Sequence, residues 1–147
     1  MKSVFDKSTQ EQLHRRLEGL EKATVGQWGK MNAAQMLAHC TATMQVPVGD
    51  LKVRRTFISL IGWMFRGMIT SEKPFGKNSP TSDEFLVRGE CDFEAEKKRF
   101  VETFNKLSQG PSAVTCLEHP FFGKISGEDW GHLMYKHLDH HFTQFGV

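Results

Sequence analysis

The chain reads as an all-α protein, an antiparallel bundle with one or two long crossings. Three observations lead there. Apolar residues recur at helical spacing in four or five segments, strand-like alternation is scarce, and turn-forming residues gather in two long connections. At 147 residues the length fits a single domain, 1–147, able to bury a sizeable core, and neither repeats nor a linker divide it.

The first helix is expected from Ser8 to Thr24, with Leu13, Leu17 and Leu20 stacked on one face. The glycines of "VGQWGKM" then break the chain. A second helix starts at Asn32, where "NAAQ" has the form of a capping box with Gln35, and continues through "MLAHCTATM". The third is the apolar run Phe57 to Ile69. It is hydrophobic all round the helical wheel, as burial in a bundle or an oligomer interface produces. Arg66 interrupts it and it is too short to span a bilayer, although Arg54 and Arg55 in front of it would suit an interfacial anchor.

An irregular stretch, "SEKPFGKNSPTSDEFLVRGEC", follows. Asp92 caps the fourth helix, whose Phe93, Phe100, Phe104 and Leu107 repeat at helical spacing until "QGPS". A loop, "HPFFGKIS", leads to the last helix. Ser126 is placed to cap it, with Glu128 and Asp129 in the first turn, where negative charge complements the helix dipole.

Composition excludes several classes. A net charge of +2 is too small to steer a nucleic-acid partner, and neither a membrane span nor a signal peptide is expected. Cys40, Cys91 and Cys116 lie far apart with no C-x-x-C, which fits reduced thiols and a cytoplasmic location.

The chemistry concentrates in "KHLDHHFTQF", residues 136–145. Advancing by about 100° per residue places Met134, His137, His141 and Phe145 around Trp130, with Leu133 and Leu138 at the edges. His132, Lys136, Asp139 and Thr143 fall on the opposite, solvent-facing side, and His140 lies on the flank. Two imidazoles one turn apart have Cβ atoms about 5–6 Å apart and can converge on one ion at about 2.0–2.1 Å. The segment is not H-E-x-x-H, because Leu138 stands where the glutamate of a metallopeptidase would be. A third ligand must come from another helix. His39, on the flank of the second helix, is the leading candidate; Cys40 is its rival but sits mid-stripe, where a free cysteine usually acts as a small hydrophobe. The competing reading is a pair of core histidines hydrogen-bonded to Gln144, a threonine or water.

"WGKMNAAQMLAH" (28–39) and "FFGKISGEDWGHLMYKHLDHHFTQFGV" (121–147) together resemble the DinB-like superfamily of metal-binding bundles. The second stretch is closest to a small branch catalogued as a domain of unknown function. The resemblance implies a four-helix bundle with a long crossover, often a homodimer, and a divalent ion, commonly zinc or nickel, held by one histidine of the second helix and an H-x-x-x-H pair of the last. These map onto His39, His137 and His141.

Three protein ligands leave coordination positions open, which is the catalytic pattern. The leading expectation is therefore activation of a small thiol or water for attack on a small electrophile, with no protein base identified. Gln144, His119 and Cys40 are candidates for the surroundings of such a site, against the plainer readings of an interhelical hydrogen bond, a loop histidine and a core thiol. The alternatives are a non-catalytic protein whose ion staples two helices, and a metal-free interaction module docking through the apolar third helix.

Overall fold

The computed structural model describes residues 1–54, 61–65, 67–71, 73–78 and 83–147. It is mostly helical. Among these residues lie five α-helices, α1 (Lys7–Glu18), α2 (Ala33–Gln45), α3 (Gly67–Thr70), α4 (Phe93–Leu107) and α5 (Gly127–Gln144), and one two-stranded sheet, β1 (Glu118–His119) with β2 (Gly123–Lys124). No helix among them is long and apolar enough to cross a membrane.

Local signals position the helix starts. Asn32 accepts from the backbone N–H of Gln35 while the Gln35 side chain accepts from that of Asn32, so the expected capping box opens α2. Asp92 accepts from Ala95 to open α4. Ser126 and Asp129 form a reciprocal pair at the start of α5, so Asp129 does more there than complement the helix dipole.

The core follows the apolar periodicity. Phe93, Phe100, Phe104 and Leu107 of α4 are all buried, with Phe100 tilted 5.8 Å from Phe142 of α5. Helix α2 is buried on nearly every side, from Ala33 to Met44, because it packs against both α4 and α5. That central position carries His39 into the interior.

Four expectations are corrected. Helix α1 stops at Glu18 rather than Thr24; Leu20 still reaches the core, from a turn that follows Gly19. The third helix expected over 57–69 lies partly outside the described residues; its described part is a 3-10 turn at Gly62–Phe65 and the four-residue α3. The loop "HPFFGKIS" contains a hairpin, with Glu118 opposite Lys124 and His119 opposite Gly123, whose φ of +68° supplies the left-handed residue such a turn needs.

The fourth concerns the outer side of α5. Lys136 and Asp139, expected in solvent, are half-buried. Arg16 of α1 pairs with Asp139 and donates to Thr143 Oγ1 (2.9 Å) and the Val147 carbonyl (2.7 Å). Lys136 donates to the carbonyls of Met68 and Ser71. A helical wheel records angle only; the neighbours that cover its polar side come from elsewhere in the chain.

Candidate metal centre

His137 and His141 lie one turn apart on α5, and α2 brings His39 against both. The ring centroids stand 5.0 Å (His39–His137), 4.7 Å (His39–His141) and 4.7 Å (His137–His141) apart. One nitrogen from each ring lies within 4.8 Å of the other two. A tetrahedral ion with Zn–N of about 2.0–2.1 Å needs nitrogens about 3.3 Å apart, so ring rotations of order an ångström complete the triad. The three histidines therefore can hold a metal ion.

Hydrogen bonds set which nitrogens face inward. His39 Nδ1 is 2.9 Å from the carbonyl of Phe85, which can only accept, so Nδ1 carries the proton and Nε2 the lone pair. His141 Nδ1 is 2.8 Å from Oε1 of Gln144. The Gln144 amide is itself oriented, because its Nε2 donates to the carbonyl of Trp28 at 2.6 Å. Trp28 thus fixes Gln144, and Gln144 fixes the tautomer of His141. Donation of the outer N–H to a carbonyl is the usual second contact of a metal-binding imidazole. Nε2 of His137 is buried and has no hydrogen-bond partner. An orphaned nitrogen of this kind costs about 1–3 kcal/mol unless something fills it, and a cation does.

Electrostatics agree with the donor set. Burial holds all three histidines below the ordinary imidazole range, His141 at about 3 and His137 well below its usual value. For His137 and His141 repulsion from the neighbouring imidazoles adds to burial. All are neutral at physiological pH, the form that coordinates.

The cluster opens on a cavity of about 330 Å³. Trp28, Phe75, Phe85, Phe122 and Met134 contribute its apolar wall. Lys77 sits over the ring of Trp28, a lining residue, at 4.5 Å, and Phe75 and Asn78 of the same segment line the cavity too. His140, expected on the flank, does line this cavity, between Trp28 (5.7 Å) and Phe75 (6.2 Å).

Of the remaining sequence candidates, Gln144 lies beside the cluster and acts on His141. Cys40 does not join it. Its thiol is fully buried against Met36 Sδ (3.7 Å), and burial raises its pKa strongly, so it behaves as a core residue. His119 lines the cavity from β1. The carbonyls of Phe85 and Trp28 were invisible to sequence reasoning, because any residue type supplies a carbonyl.

These features define a helical protein with a three-histidine cluster, able to bind a metal ion, beside an open cavity. The chain belongs to the family described as a protein of unknown function (DUF1569), which matches residues 5–146. Nothing in that match ties it to the DinB-like superfamily. No curated protein and no solved structure matches the chain.

Proposed function

We propose that the protein is a metal-dependent enzyme of the DinB-like type, a cytoplasmic four-helix bundle with a long crossover, in which His39, His137 and His141 hold one zinc or nickel ion. The observation that carries this reading is the buried, unpartnered Nε2 of His137 between two histidines whose outer nitrogens are already engaged. When bound, such an ion supplies Lewis acidity, lowering the pKa of water or a small thiol so that it attacks a small electrophile. The protein's part is to keep three imidazoles neutral and aimed, and to exclude bulk water with the apolar wall.

The staple reading, in which the ion only joins α2 to α5, calls for a closed site with a fourth protein ligand. Cys40, the nearest rival in sequence, faces Met36 instead, and the cavity beside the cluster is room that a staple does not need.

Metal analysis of the purified protein tests the proposal. About one divalent ion per chain is expected, with His137→Ala and His141→Ala each losing most of it. Unchanged metal content in both variants removes the centre of the reading. A thermal-shift series with small thiols and electrophiles then separates enzyme from staple: a ligand whose stabilisation vanishes on chelation supports the enzyme.

A further inference from the structure

His119 lies outside the triad but close enough to act on His137, and it has the opposite tautomer to His39 and His141. Its Nδ1 accepts from the backbone N–H of Phe121 (3.0 Å) and of Phe122 (3.2 Å), closing the turn between β1 and β2. Both partners are donors, so Nδ1 holds the lone pair and the proton resides on Nε2. Burial holds the ring's pKa at about 3, which keeps this neutral form across physiological pH. The ring is wedged against Trp130 (5.0 Å) and Phe122 (4.7 Å), so it cannot turn freely. It lines the cavity, and its Nε2–H makes no hydrogen bond among the described residues.

The rest of the lining has a matching bias. No carboxylate is among the described lining residues, whereas Lys30 and Asn78, both exposed, stand at the cavity's edge within a mostly apolar lining.

We propose that His119 is the positioning residue of this cavity, its Nε2–H donating to an oxygen of the ligand, and that the ligand class is an apolar molecule bearing a carboxylate or similar acceptor. A cationic molecule of the same shape finds only neutral acceptors there, the imidazole lone pairs of the triad, and no carboxylate among the described lining residues, so it is held more weakly. The inference shares with the proposed function the premise that the cavity takes a ligand, but it does not require the metal.

Two substitutions separate the halves of the imidazole. In His119→Asn the amide oxygen replaces Nδ1 and keeps the turn closed, but no donor remains at the Nε2 position. In His119→Gln the amide nitrogen reaches the Nε2 position, but the turn loses its acceptor. Benzoate and benzylamine are titrated calorimetrically into the full-length protein, metal-loaded and chelated.

Benzoate is expected to bind the wild-type protein and benzylamine at least about tenfold more weakly. His119→Asn is expected to stay closer to the wild-type melting temperature than His119→Gln, losing only the packing of the ring, and to lose about tenfold in benzoate affinity. His119→Gln is expected to melt lower and hold benzoate within about threefold. Equal binding of the two probes, wild-type benzoate affinity in His119→Asn, or matching losses in both variants each overturn the proposal. A protein that binds no metal yet shows this pattern in chelator overturns the proposed function and leaves His119 standing.

Discussion

Gln144 Oε1 accepts the Nδ1 proton of His141 at 2.8 Å, and the same amide reaches back to the Trp28 carbonyl at 2.6 Å. Two residues at the end of α5 are thereby locked to the loop before α2. Removing the amide frees His141 to rotate and to change tautomer. Gln144→Leu is expected to weaken metal affinity about 10- to 100-fold, read by competition with a chromophoric chelator. Wild-type affinity in that variant would mean that packing alone orients the ring.

Gly29 controls the same chain of contacts from the other side. It has φ of +82°, and a Cβ there would stand 2.5 Å from Gln144 Nε2. The left-handed conformation costs an alanine about 1–2 kcal/mol, and the displaced amide loses the Trp28 carbonyl. Gly29→Ala should lower both the melting temperature and metal affinity. An affinity unchanged beside a lowered melting temperature would uncouple the loop from the site.

Cys40 is fully buried, whereas Cys91 and Cys116 are half-exposed. A thiol reagent should therefore modify at most two cysteines in the folded protein and all three after denaturation. Cys40→Ala should keep full metal content while losing about 1 kcal/mol of stability from the core. Loss of metal in that variant would restore the cysteine as a ligand.

Acid should destabilise the chelated protein before carboxylates titrate. His119 and His141 have folded pKa values of about 3, below the roughly 6.5 of the unfolded chain. Above pH 6.5 both states are neutral and no penalty exists. As pH falls below that, the unfolded state takes protons that the folded state refuses, and stability drops by about 1.4 kcal/mol per pH unit per histidine until pH 3. Urea unfolding at pH 7.5, 6 and 5 measures the slope, and His119→Asn should make it shallower by one proton. An identical slope would place the His119 ring in water.

The local signals proved legible because they depend on few neighbouring residues. The capping residues Asn32, Asp92 and Ser126 were readable from types and spacing, as were the phenylalanines of α4. Breaks were harder. The first helix ends early at Gly19, and the short hairpin at 118–124 has too few residues to show alternation.

For the site, residue order alone determined that His137 and His141 share a face, since a helix rotates by a constant angle per residue whatever surrounds it. It also singled out His39, though not its height along α2 relative to the pair. Only the packed structure decided that these rings meet. It likewise brought the carbonyls of Phe85 and Trp28 behind two of them, turned Cys40 toward Met36, and set His119 in the cavity lining. The physical reason is one of range: periodicity and capping arise within a turn or two of backbone. Convergence of α2, α5 and two connections is set by which apolar surfaces are buried together across the whole chain.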